Sequence, residues 1–392
     1  MALSLNLNLS VPDASAQIRS QELVTLIQQK INDAGGWIDF ATFMHMALYT
    51  PGLGYYSGGS VKFAHSVKGG GDFITAPQIS PLFARTLAKQ AAKILAETQG
   101  SILELGAGTG KLAADLLLEL QQLNQLTARY YILEVSDYLR QIQLETMQAL
   151  LPADLLDHVV WIDTLPTDFV GLIVGNEVLD AIPVHLIYHS QQAWLERGVS
   201  FEHAFIWQDK PLTYVDLIKE ITTHPLPNGY LTEVCPAANG LIASLAQSLK
   251  QGVILMLDYG FGAAEYYHPQ RNSGTLMCHY QHQAHADPLI YVGLQDVTAH
   301  VNFTAIAETA LANGLSLAGY CNQASFLINC GILEALAETS PNDITTYIPL
   351  ASAVQKLLSP AEMGELFKVI AFSKGIANEL IGFKNGEKAH ML

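Results

Sequence analysis

Charge is scarce in this chain and unevenly signed: 14% of its 392 residues are charged, 20 Lys and Arg against 36 Asp and Glu, for a formal net charge of −16. A surface of that sign repels phosphate backbones, and no basic run interrupts it. DNA and RNA are therefore excluded as expected partners, and cationic substrates or basic protein segments are favoured. Cysteine is equally sparse. Cys235, Cys278, Cys321 and Cys330 are scattered without a C-x-x-C pair, which suits reduced thiols in a reducing compartment rather than a disulfide framework. Long apolar runs are missing too: "GVILMLDYG" (252–260) has the length of a strand, well short of the roughly 18 residues of a membrane helix, so no membrane insertion is expected. The opening "MALSLNLNLSVPDASAQIRS" has neither the apolar core of a secretory signal nor the arginines of a transit peptide, and a cytoplasmic protein is the expectation.

Hydrophobic residues, by contrast, make up half the chain, enough for a large buried α/β core with additions. Ile18, Leu23, Ile27 and Ile31 recur at near-helical intervals over 16–35, and "DFATFMHMALY" predicts a second helix. "SVKGGGDFITAPQISP" (66–81) reads as a loop whose bare backbone can approach a ligand, or as a plain connection. From residue 81 strand and helix patterns alternate: helix "PLFARTLAKQAAKILAET", strand "SILEL", a helix from Lys111, strand "YYILEV", a helix from Asp137, then strands "HVVWI" and "VGLIVG". The helix "GLIASLAQSLK" and strand "GVILMLDYG" follow, and "ELFKVIAFSKG" supplies a late strand. Such alternation predicts a parallel sheet covered by helices on both faces. The expected organisation is an N-terminal helical extension with the glycine-rich loop (1–85), a first part of the core (86–182), a β-rich insertion (183–233) and the remainder of the core with substrate-side insertions (234–392).

"ILELGAGTGKLAADLL" (102–117) places Gly106, Gly108 and Gly110 between a buried strand and a helix, where glycine permits a tight turn and lets a cofactor pack against backbone. The third glycine comes one residue early for a dinucleotide fingerprint, and the Lys-Ser/Thr ending of a phosphate loop is absent. Glu104 would meet a pyrophosphate with an uncompensated carboxylate; a cationic cofactor suits it. S-adenosyl-L-methionine, which carries a sulfonium, an ammonium and no phosphate, fits. Glu134 closes the second strand, where it can accept ribose hydroxyls, and Asp163 closes the third, where it can face an adenine amino group.

The fourth strand ends in "GNEVLDAIPVH" (175–185), where an incoming nucleophile would sit. The N/D-P-P-Y string of many amino-group methyltransferases is absent. Glu177 and Asp180 stand there instead, three apart, and on one helical turn they would point the same way. Two carboxylates suit a guanidinium, a planar fork of donors that stays protonated in water, which makes them the candidate catalytic residues. Asp180 could equally brace the loop. Asn176, at the same tip, joins the candidate cofactor set.

The strings "YTPGLGYYS", "GDFITAPQIS", "ILELGAGTG", "ILEVS", "NEVLDAIPVH", "TEVCPAA", "LDYGF", "GLQDVTAHVNF" and "ASFLINCGI", in this order from about residue 37 to 375, resemble the MidA-like family of S-adenosylmethionine-dependent methyltransferases. The resemblance implies a class I, Rossmann-like seven-stranded methyltransferase sheet, with Gly106, Gly108, Gly110 and Glu134 as cofactor residues. It also implies that Gly71, Asp72 and Phe73 close over the cofactor, and that the acceptor is a protein with a cationic side chain, since mitochondrial members of the family are arginine methyltransferases acting on a respiratory complex I subunit. Asn302 stands where an acid is common in the family pattern, which bears on arginine specificity.

Three readings stay open on the residues alone: a protein arginine methyltransferase, a methyltransferase for a small molecule or another side chain, and a cofactor-binding assembly chaperone. His279, His282 and His285, with His268 and Asp287 nearby, match no standard metal-ligand spacing and are read as polar loop histidines, with no metal assigned. Tyr259, Asp296 and His300 are lesser candidates for the substrate cleft.

Overall fold

In a computed structural model of the chain, the described residues are 9–58 and 75–392 apart from 192, 215, 220 and 223. Two compact units emerge, each assembled from three stretches of sequence: Met1–Phe73 with Ala181–Ala237 and Glu265–His300, and Ile74–Asp180 with Ala238–Ala264 and Val301–Leu392. Residues 265–300, placed by sequence among the insertions of the core, thus cluster with the N-terminal helices and the β-rich insertion.

The second unit is the sheet that sequence alternation predicts. In chain order it comprises α1 (Pro81–Thr98), β1 (Ser101–Leu105), α2 (Lys111–Gln122), β2 (Tyr130–Leu133), α3 (Asp137–Leu150), β3 (Val159–Ile162), β4 (Phe169–Asn176), α4 (Pro236–Ser248), β5 (Leu249–Phe261), α5 (Phe303–Ala312), β6 (Ser316–Asn322) and β7 (Phe367–Lys374). The strands lie side by side in the order β6-β7-β5-β4-β1-β2-β3, with the short strand Val301–Asn302 alongside β5. β3, β2, β1, β4 and β5 run parallel, whereas β7 is antiparallel to both β5 and β6. This seven-stranded order is that of a class I methyltransferase. Because helices cover both faces, Val253–Leu257 of β5 is a continuous apolar run instead of an alternating one.

Local chemistry starts and stops these elements. Ser80 caps α1 by accepting from Leu82 N, with Pro81 in the first turn where a missing N–H costs nothing. Its apolar face, Leu82, Phe83, Leu87, Ala91, Ile94 and Leu95, follows the helical period into the main core. Arg85 then reaches Glu119 of α2 at 2.9 Å and Glu338 at 2.6 Å, fixing the two helices against each other.

The first unit holds the helices Ala14–Asp33 and Phe40–Tyr49, each capped by an Asp, over a five-stranded antiparallel sheet, and beside them a three-stranded one built on Met277–Tyr280. Leu23, Ile27 and Ile31 face its core as their spacing predicts, but Ile18 is 61% exposed and Ala16 takes the buried position two residues earlier. Within the stretch read as a loop, Ala76–Ile79 is one helical turn.

At the base of the large sheet three strands touch backbone to backbone. Gly252 pairs with Gly171 and Gly171 with Ser101, and a Cβ on Gly252, whose φ is 142°, would lie 1.8 Å from the Gly171 carbonyl oxygen. Gly252→Ala should therefore destabilise the chain by at least about 3 kcal/mol, or prevent folding, because both the left-handed backbone and the strand spacing forbid a side chain. Chemical denaturation checks this, with Gly240→Ala, at a helical site with open space, as the control.

Candidate active site

The register of the parallel strands brings their C-terminal tips level. Leu105 of β1 lies opposite Leu133 of β2 and Gly175 of β4, and Asn176 of β4 lies opposite Leu257 of β5. The residue that follows each strand is thereby delivered to one edge, with β1 and β4 flanking the point where the strand order reverses, the usual place for a ligand in such sheets.

All three loop glycines have left-handed backbones, φ 58° at Gly106, 54° at Gly108 and 81° at Gly110. Their surroundings differ. A Cβ on Gly110 would lie 3.1 Å from Gln143 Cα, so this glycine lets α2 pack on α3, whereas a Cβ on Gly108 would meet nothing within 4 Å. The loop is tied down behind that open position: Gly106 N donates to Leu133 O at 3.1 Å, Gly110 N to Ala107 O at 2.7 Å, and Gln143 Nε2 to Gly108 O at 3.2 Å.

Glu134, one residue past β2, is only 5% exposed. Its Oε1 accepts from Ser136 N at 2.9 Å and its Oε2 from Gln143 Nε2 at 2.9 Å, and Gln143 Oε1 in turn accepts from Trp161 Nε1 at 2.8 Å. Burial raises its pKa from the ordinary carboxylate value, while these bonds pull the other way. Gln143 thus orients both the glycine loop and the acid beside it, a role that sequence reading missed because nothing in "DYLRQIQLETM" marks one glutamine over another. Asp163 lies at the tip of β3 with a side chain 84% exposed, bonded at 2.6 Å by Arg140 Nη2. The same guanidinium binds the Glu134 carbonyl through Nε at 2.9 Å and Nη2 at 2.6 Å, and the Ile162 carbonyl at 3.1 Å, joining the second and third tips.

Glu104 is not open at its tip. It sits within β1, 3% exposed, with Tyr130 of β2 donating its hydroxyl at 2.8 Å, and burial pushes the carboxyl up to about 7.

At the fourth tip the structure corrects the expected helical turn. Residues 177–180 form an irregular turn, and Glu177 has a left-handed backbone, φ 54°, uncommon for any residue but glycine. Glu177 Oε1 accepts from Asn176 Nδ2 at 2.9 Å and from Ala76 N at 3.4 Å. The turn wraps around Asp258 of β5: one carboxylate oxygen, Oδ2, receives Val178 N at 3.1 Å, Leu179 N at 2.8 Å and Asp180 N at 3.3 Å, and Oδ1 receives Tyr259 N at 2.9 Å. N–H groups committed to this carboxylate are not available to a helix. Asp180 and Asp258 are 5% and 1% exposed. Burial, and then the Glu177 charge, push Asp258 up to about 7. Its signal in the sequence is a lone acid inside the apolar run "GVILMLDYG".

The other candidates disperse. Tyr259 is buried edge-on against Phe367. Asp296 accepts from Tyr56 at 2.8 Å, and His300 N donates to Thr275 Oγ1 at 3.0 Å, both within the first unit. Asn302 caps α5 through Ala305 N. His279, His282 and His285 lie on or beside a β-hairpin, and among the described residues no group of three or more His, Cys, Asp or Glu could hold a metal. Gly71, Asp72 and Phe73 lie outside the described residues.

Residues 82–321 match the model of a family described as "Putative S-adenosyl-L-methionine-dependent methyltransferase". The chain belongs to this MidA-like methyltransferase family. It is therefore a methyltransferase whose methyl donor is S-adenosyl-L-methionine. Among solved structures it is similar to a Burkholderia thailandensis protein crystallised with S-adenosyl-homocysteine, 47% identical over 98% of this chain and 100% of that one, with a TM-score of 0.94. A second Burkholderia thailandensis structure gives 46% identity, the same coverage and a TM-score of 0.92. Curated relatives include the mitochondrial protein arginine methyltransferase NDUFAF7 of Danio rerio, 29% identical over 86% of this chain and 83% of its own length, and that of Homo sapiens, 26% identical over 88% and 82%.

The residues of the methyltransferase fit a cationic donor. Carboxyl groups stand at or beside all four tips; Lys111 is held by Asp115, and Arg140, bonded to Asp163 and the Glu134 carbonyl, offsets part of the negative charge at the second and third. Glu104 makes this electrostatic load measurable. Its folded pKa near 7 exceeds the ordinary value of about 4.3, so between those limits the folded chain keeps a proton that the unfolded chain has lost. The stabilisation from that proton is full below about pH 4.3, declines as pH rises and is gone above about 7. Urea unfolding from pH 4.5 to 8 should show wild type losing on the order of 1–3 kcal/mol relative to Glu104→Gln, which keeps the Tyr130 bond without titrating. Parallel stability curves for the two proteins would contradict this.

Proposed function

We propose that this methyltransferase modifies the guanidinium of an arginine in a protein, with Glu177 and Asp180 holding the acceptor. The observation that carries the reading is the placement of two acids, Glu177 and Asp180, on the one short turn that leaves the β4 tip, with Glu177 in a left-handed conformation and the turn's N–H groups bonded to Asp258. Support comes from curated relatives of 26–29% identity over most of both chains that are named protein arginine methyltransferases, and from a net charge of −16 that favours a basic partner.

On this reading Gly106, Gly108, Glu134, Asp163 and Asn176 form the methyl-donor side, while Gly110, packed against Gln143, and Glu104, closed off by Tyr130, support it from behind. S-adenosyl-L-methionine, when bound, supplies a methyl group on a cationic sulfonium. Glu134, fixed by Ser136 and Gln143, offers its carboxylate to ribose hydroxyls. Gly108 leaves the backbone bare for close approach, and Asp163 presents an exposed carboxylate where an adenine amino group can donate. On the acceptor side, Glu177 and Asp180 would accept guanidinium N–H bonds and orient the reacting nitrogen, and one of the two carboxylates would take the single proton that nitrogen sheds as its bond to the methyl carbon replaces the carbon–sulfur bond. Charge pairing gains value there because Asp180 is buried and the local dielectric is low.

Glu177→Gln and Asp180→Asn should keep donor affinity within a few-fold but lower methyl transfer by about a hundredfold, the scale seen when one preorganised electrostatic partner is lost. Calorimetry with S-adenosyl-L-methionine measures the first. Transfer of labelled methyl to proteins of a lysate from cells lacking the chain, with mass-spectrometric site mapping, measures the second. Normal transfer by both variants, or label mapped to residues other than arginine, would refute the reading.

A further inference from the structure

The turn that carries the two proposed acceptor acids cannot hold its own shape. Glu177 occupies a backbone region that a residue with a Cβ enters at a cost, and such a conformation persists only when its surroundings over-determine it. Three successive N–H groups, those of Val178, Leu179 and Asp180, then turn inward together, away from any helical or strand partner. Two adjacent residues of β5 answer both demands: Leu257 O accepts from Glu177 N at 2.8 Å, and Asp258 Oδ2 accepts all three of the following N–H groups.

We infer that Asp258 is the positioning residue of the acceptor end: its carboxylate imposes the conformation of the 177–180 turn and thereby aims Glu177 and Asp180. This rests on the acceptor role proposed for those two acids. A carboxylate is required rather than any polar side chain, because both of its oxygens accept, Oδ2 three times and Oδ1 once from Tyr259 N at 2.9 Å. An amide of the same shape must turn an NH2 group toward backbone donors on one side or the other, losing bonds and adding a clash of like dipoles. The side chain is also set rigidly. It projects from the C-terminal part of β5, paired with Lys368 of β7 and one residue past Leu257, where the pairing with β4 ends, so the turn is referenced to a buried position of the sheet and not to a loop. The Glu177 charge, after burial, is the second cause that raises Asp258, which places the two carboxylates within electrostatic reach of each other.

The test uses the full chain and two readouts. Hydrogen exchange of the segment 176–182 should show the amides of 178–180 protected in wild type and exchanging at least about tenfold faster in Asp258→Asn, with the rest of the sheet unchanged. Unprotected amides in wild type, or unchanged exchange in the variant, overturn the inference even if no acceptor is found, and the wild-type measurement stands if the variant does not fold. In the lysate transfer assay, Asp258→Asn should keep S-adenosyl-L-methionine affinity within about threefold and lose at least about thirtyfold in transfer, while in a Glu177→Gln background its further cost should be at least about threefold smaller than in wild type, since the part of its effect that runs through Glu177 is already lost. Full additivity of the two losses overturns it. The two failures are separable: if Glu177→Gln transfers normally while Asp258→Asn loosens the turn, the acceptor role falls and the positioning of the turn stands; if Glu177→Gln is inactive while Asp258→Asn matches wild type in both readouts, only the positioning role falls.

Discussion

A carboxylate taken out of water must be given hydrogen bonds, a proton or a cation, and this chain buries several of them at one edge of its sheet. Glu134 receives backbone and amide donors, Glu104 a tyrosine hydroxyl, Asp258 four backbone N–H groups. Glu104 and Asp258 are nevertheless pushed up to about 7, so the donors present do not fully compensate burial. On the proposed reading, the species that answer this negative edge are the sulfonium of the methyl donor and the guanidinium of the acceptor.

The level tips of β2, β1, β4 and β5 make this concentration possible, and they follow from ordinary burial. Strands covered on both faces must be apolar along their length, so polar residues are expelled to the ends, and parallel pairing aligns those ends. Chemistry then accumulates at the C-terminal edge. The glycines divide the labour: Gly110 admits α3 against α2, while Gly108 keeps the space beyond the loop open.

Much of this was legible in the sequence because the signals are local. Alternating strand and helix patterns, the glycine triplet and the acids closing "YYILEV" and "GNEVLD" each depend on a few neighbouring residues. What was not legible depends on contacts between distant segments. Gln143 gains its importance from bonding Gly108 and Glu134 at once, and Asp258 from bonding a turn nearly eighty residues earlier. The helical turn expected at 177–180 failed for the same reason, since local spacing cannot reveal that the N–H groups are claimed by another strand. Ile18 and the histidines of the Met277–Tyr280 hairpin mark the converse limit, where periodic spacing corresponds to no buried face and no ligand cluster among the described residues.

The central claim is that the strand-tip acids select an adenosyl ligand carrying positive charge over one carrying phosphate. Calorimetric titration at pH 8 with S-adenosyl-L-methionine, repeated in the presence of millimolar NADH, tests it most directly, because the two ligands share adenosine and differ in the charge presented to the glycine loop. The account predicts binding in about the micromolar range, near −8 kcal/mol, unaffected by NADH. Displacement of the donor by NADH at comparable concentration would contradict it.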